Sequence, residues 1–176
     1  MGPDGLDVMV CATNVGNRAA SHGVGQHPYP TLGAGTVDTA LLTVSAREHI
    51  HTGHRGLPAG QEPFGVTDFG FRAARPIGSR QPDTAFALGR SDGDVAVVRL
   101  AQHLGARGVA VRLGGRAPVT YGSMGDTLPG AERRRGIAVE PMPCPPDSFR
   151  SGLGVHVRGK GDTHVLRWGL TARRPT

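Results

Sequence analysis

Two short motifs place a titratable side chain directly before a proline: Gln26-His27-Pro28-Tyr29 and Val139-Glu140-Pro141. Proline fixes φ and lacks a backbone donor, so each side chain stands at the mouth of a stiff segment. The stiffness is greatest after Glu140, where Pro141, Pro143, Pro145 and Pro146 come close together. A carboxylate and an imidazole in fixed positions can serve as general base and general acid on one substrate. Their reference pKa values, about 4.3 and about 6.5, let the imidazole carry a proton while the carboxylate lacks one. The pair has no hydroxyl or thiol nucleophile partnered by a base, so acyl transfer is poorly supported. Glycoside hydrolysis calls for a second carboxylate, and Asp83 is the one that could supply it. Each residue also has a plainer reading. Glu140 alone is an ordinary surface acid at a strand end, and His27 alone is a buried, hydrogen-bonded histidine beside an aromatic.

Other reactive residues are less persuasive. His49, His51 and His54 alternate loosely; on a strand such histidines share a face and could hold a metal. The flanking Gly53, Arg55 and Gly56 favour a flexible loop instead. Gly89-Arg90-Ser91-Asp92-Gly93 fits G-x-S-x-G, but a nucleophile elbow needs strand, turn and helix. The next segment, Val95–Leu100, is strand-like, so Ser91 belongs to an Asp-Gly hairpin turn. Cys11 and Cys144 form no C-x-x-C, so no thiolate zinc site or disulfide framework follows.

The 176 residues suffice for one domain with a real core, residues 1–176. The 28 glycines and 14 prolines argue for many short strands and turns rather than long helices. Net charge is +6, mostly from arginine, yet only Arg133–Arg135 forms a run and aromatics are 5%. Scattered charge without a stacking platform does not suit nucleic acid. The opening MGPDGLD lacks the basic and apolar regions of a signal peptide, and no apolar run approaches a membrane span. The expected location is the cytoplasm.

Leu6, Val8, Val10 and Ala12 alternate as in a half-buried strand, ended by a turn at Asn14–Asn17. A second strand, about 20–25, leads into His27. Thr39–Val44 reads as a strand, with a short helix from Asp38 as the competing assignment. Gly56–Arg80 reads as loop. Strands are expected at 82–88, 95–100, 108–113, 118–124 and 136–140. The last expected element is a hairpin, 154–158 with 163–170, turning on Gly159-Lys160-Gly161-Asp162 and anchored by Trp168 and Leu170. About ten short strands and no amphipathic helix predict an all-β sandwich or barrel.

The sequence resembles the aldose 1-epimerase, or galactose mutarotase, family, in its actinobacterial style. The matching stretches are ATNVGNRAASHGVGQHPY, REHIHTGHRGLPAGQEP, FRAARPIGSRQPDTAF, GDTLPGAERRRGIAVEPMPCPPDSF and VLRWGL, in family order from about Leu6 to Leu170. The resemblance implies a galactose-mutarotase-like β-sandwich (supersandwich). It implies Glu140 as the base that takes the C1 hydroxyl proton and His27 as the acid that protonates the ring oxygen. Asp83 and Tyr29 are the implied substrate-binding residues, and no cofactor or metal is needed. The implied partner is a hexose, galactose or glucose. A hexose 6-phosphate mutarotase, with Arg133–Arg135 near the phosphate, is a related expectation. The family's further N-terminal portion, with an arginine and a second histidine that grip the sugar, has no match here. The fold is therefore expected to be N-terminally truncated relative to the family. Truncation implies either a partner chain that supplies the missing strands or a non-catalytic carbohydrate-binding remnant.

Overall fold

The computed structural model describes residues 2, 5–33, 35–53, 55–65, 68–88, 95–102, 107–114, 119–123 and 128–173. The hairpin turn expected around Ser91, and His54, lie outside them. The first strand, β1 (Leu6–Thr13), shows why the chain extends. Leu6, Val8, Val10 and Ala12 turn inward while Asp7, Met9 and Cys11 face water, the two-residue period of a sheet. Twelve more strands follow among the described residues: β2 (Ala20–His22), β3 (Leu41–Val44), β4 (Ala46–Thr52), β5 (Pro58–Pro63), β6 (Arg75–Pro76), β7 (Asp83–Leu88), β8 (Val95–Ala101), β9 (Gly108–Gly114), β10 (Val119–Ser123), β11 (Ala138–Met142), β12 (His156–Arg158) and β13 (Thr163–Arg173). A short α-helix, α1 (Ser148–Ser151), comes after the proline run, and a 3-10 turn, Gly130–Glu132, comes before β11.

The strands form a six-stranded sheet, β1-β13-β9-β8-β3-β6, a five-stranded sheet, β11-β10-β7-β4-β5, and a small β12-β2 pair. Leu42, Val98, Val111, Leu113, Leu166 and Trp168 from the first sheet meet Phe86 and Val139 from the second in one core. Loop residues Phe64, Phe71 and Ile77 fill the same core. Burying each such side chain contributes about 1.5–3 kcal/mol. This is an all-β sandwich, one of the two architectures that the strand pattern predicts.

Three local assignments change. Thr36–Thr52 holds two strands, β3 and β4, so His49 and His51 lie on a strand and not in a loop. The segment assigned to loop contains β5 and β6. Both are edge strands carrying prolines, where a missing N–H faces no partner, and so proline-rich sequence concealed them. The expected hairpin of β12 with β13 does not form. β13 pairs with β1 along residues 163–170 and with β9 along residues 167–173, while β12 pairs with β2. The Gly159–Asp162 turn survives, with Asp162 N–H donating to Gly159 O, while Asn14 sits at the junction and donates from Nδ2 to Arg158 O.

Candidate active site

Glu140 lies in β11, and its face of the sheet is set by register. Across the five-stranded sheet Glu140 shares a face with Ala85 and Ile50, and with Asp83 and Met142 two residues along. His27 reaches this face from outside the sheet. Residues 26–30 run extended beside β11 without forming a regular strand. Gln26 N–H donates to Pro141 O (3.4 Å), Val139 N–H to Pro28 O (3.1 Å) and Ile137 N–H to Pro30 O (3.2 Å). In each bond a proline carbonyl accepts, and none of these prolines can donate in return. Each rung is thus a single bond, yet together they fix His27 relative to Glu140. The close approach also needs Gly136: a Cβ there would stand 2.9 Å from Pro30 O.

The two side chains meet. His27 Nε2 lies 2.9 Å from Glu140 Oε1, with the imidazole 53% exposed and the carboxylate 15%. The Tyr29 ring stacks on His27, centroids 4.9 Å apart at 29°. Burial pushes the Glu140 carboxyl above the ordinary carboxylate range; the His27 imidazole pulls it down and the Asp83 carboxylate pushes it up. Asp83, exposed at the start of β7, is thus near enough to act on Glu140 through its charge. A carboxylate so raised holds a proton more tightly than an exposed one.

Other sequence candidates fall elsewhere. His49 and His51 converge on Glu62, but on the opposite face of the five-stranded sheet from Glu140, since His49 pairs with Phe86 rather than Ala85. Cys11 is exposed, Cys144 is half-buried, and both are free thiols. Arg134, at the centre of the basic run, is committed to the fold. Its Nε lies 2.5 Å from Asp38 Oδ1, and its terminal nitrogens donate to Gly78 O (2.7 Å) and Arg80 O (3.2 Å). Nothing in the run of three arginines marks the middle one as the buried one. Glu62 was likewise missed, because its role depends on the β4–β5 register. No described helix is long and apolar enough to cross a membrane.

The sequence profile of the aldose 1-epimerase family matches residues 2–169. The uncharacterized protein YihR of Escherichia coli K12 is 28% identical over 170 residues, covering 97% of this chain and 52% of YihR. A galactose mutarotase-like protein from Clostridium acetobutylicum superposes with TM-score 0.80 at 12% identity, covering 97% of this chain and 53% of its own. Galactose 1-epimerase from Lactobacillus acidophilus NCFM gives TM-score 0.78 at 16% identity, with 98% and 54% covered. The chain therefore spans about half the length of the relatives it matches.

Proposed function

This chain belongs to the aldose 1-epimerase family, and we propose that it interconverts the α and β anomers of a free hexose, galactose or glucose. The observation that carries this reading is the 2.9 Å contact between His27 Nε2 and Glu140 Oε1. Ring opening of a pyranose needs a proton removed from the C1 hydroxyl and one delivered to the ring oxygen. Both oxygens are bonded to C1, so acid and base must be neighbours. Glu140 takes the hydroxyl proton and protonated His27 gives its proton to the ring oxygen. The bond from C1 to the ring oxygen breaks, leaving an open-chain aldehyde. Rotation about C1–C2 and the reverse transfers close the ring on the other face, returning both protons. Asp83 accepts hydrogen bonds from sugar hydroxyls, and Tyr29 lines the site while holding His27 by stacking. The described chain works as a single, partial β domain of this kind.

The half-length coverage favours a second reading, a chain that binds sugar without turning it over. Exchange spectroscopy on the anomeric protons of equilibrated galactose and glucose separates the two. Turnover gives α/β exchange cross-peaks that require the protein and vanish with Glu140→Gln. Line broadening without exchange selects the binding reading and rejects the enzyme.

A further inference from the structure

The face of the five-stranded sheet turned away from Glu140 carries a second constellation. His51 Nε2 lies 3.0 Å from Glu62 Oε1, and His49 Nδ1 lies 3.4 Å from the same oxygen. The three ligand atoms all fall within 4.8 Å of one another. The β4–β5 register brings them together. Glu62 stands opposite His49, and the position opposite His51 is Gly60, which leaves the second imidazole room to turn toward the carboxylate.

The hydrogen bonds around His49 define its tautomer. Thr84 Oγ1 has one proton and donates it to the Ile50 carbonyl (2.8 Å), which can only accept. His49 Nε2, 2.9 Å from that hydroxyl, must therefore donate to it. A neutral ring then has no proton left for Nδ1. Its lone pair, on a side chain only 6% exposed, points at a carboxylate oxygen. Two lone pairs facing each other across 3.4 Å repel, and a cation between them turns the repulsion into coordination. The Phe69 and Phe86 rings, 5.5 and 5.6 Å from His49, keep it from turning away. An imidazole whose far nitrogen donates to a fixed oxygen is also the usual state of a metal-bound histidine.

We propose that His49 Nδ1, His51 Nε2 and Glu62 Oε1 bind a divalent transition-metal ion of the zinc class. Two imidazoles and one carboxylate form an established zinc donor set. Ligand atoms around tetrahedral zinc stand about 3.3 Å apart, given bonds of about 2.0–2.1 Å; the two separations from Glu62 Oε1, 3.0 and 3.4 Å, already match, and the two imidazole nitrogens lie within 4.8 Å of each other. The fourth position opens to solvent beside His51, which is 43% exposed. The ion ties edge strand β5 to β4 and leaves the opposite face to the sugar.

Calorimetric titration of zinc chloride into the untagged chain, after chelator dialysis, reads this directly. One ion per chain is expected, with affinity reduced about 10–100-fold in His51→Gln and in Glu62→Gln and unchanged in His22→Gln. Cobalt(II) chloride should give the intense visible band of a tetrahedral site in the wild-type chain. Nitrogen-15 shifts should move at His49 Nδ1 and His51 Nε2 when zinc is added, a readout that does not depend on the variants folding. No binding by the folded wild-type chain, binding undiminished in both variants, or shifts at other histidines alone would overturn the site.

Discussion

A carboxylate that takes a proton from a sugar hydroxyl gains from being a stronger base than one in open water. Burial gives Glu140 that property; the Asp83 charge adds to it and His27 opposes it. The rate should therefore fall, on acidification, through a pH above the ordinary carboxylate range. In Asp83→Asn that limb should move to lower pH, read from initial rates of anomer interconversion between pH 4 and 8. The sign for stability is opposite. Because the folded state raises this pKa, the fold favours the neutral form and loses stability as pH rises through the raised value. Glu140→Gln should thus match or exceed the wild type in denaturant midpoint at neutral pH while catalysis drops about 10²–10⁴-fold. A destabilised Gln variant would argue against the burial account. At this scale His27 and Glu140 were legible because each precedes a proline. Arg134, Asp38 and Glu62 were not, since their roles arise from partners far along the chain.

Residues 26–30 and β11 form the element that unites the pair, and Gly136 is its tightest point. Ala at 136 would drive a Cβ to 2.9 Å from Pro30 O. The expected cost is about 1–3 kcal/mol of stability. A displacement of His27 by about 1 Å would lower the rate by up to about 10²-fold. A Gly136→Ala chain with wild-type rate and midpoint would show that the backbones are not in close register. Arg134, only 12% exposed and at φ 56°, braces the turn before β11. Arg134→Ala should cost about 1–3 kcal/mol by chemical denaturation, and Arg134→Lys should recover little, because an ammonium cannot reach Asp38 and two carbonyls at once. Full recovery by lysine would mean that charge alone matters there. The strands with clean alternation, β1 and β13, were readable from the sequence. The proline-bearing edges β5 and β6 were not, because the signal for a loop and the signal for an edge strand are the same residues.

Across the whole molecule, two sheets share one core, while the small β12-β2 pair joins the six-stranded sheet through histidines. His22 and His156 are cross-strand partners, and the His164 ring of β13 lies 5.3 Å from His22 and 4.0 Å from His156. Burial, then the charges of His156, His22 and Arg158, lowers His164 from 6.5 to about 4. The unfolded chain binds this proton first, so stability is fully present above pH 6.5 and is lost as pH falls toward 4. The loss is on the order of 3 kcal/mol. Denaturation at pH 7 and pH 4.5 should show a smaller pH difference in His164→Gln than in the wild type; equal differences would remove His164 from the acid response. The all-β class was legible from glycine, proline and alternation, but the pairing order was not. Which strand takes each edge of β13 is decided by distant segments competing for it, and no local pattern records the outcome.

The most direct test is polarimetry on freshly dissolved α-D-galactose and α-D-glucose with the wild-type chain and Glu140→Gln, at equal concentration in one buffer. An approach to equilibrium faster than buffer with the wild type, and equal to buffer with the variant, is the expected result. A wild-type rate equal to buffer, or a variant rate equal to the wild type, would contradict the assignment of Glu140 and His27 as base and acid.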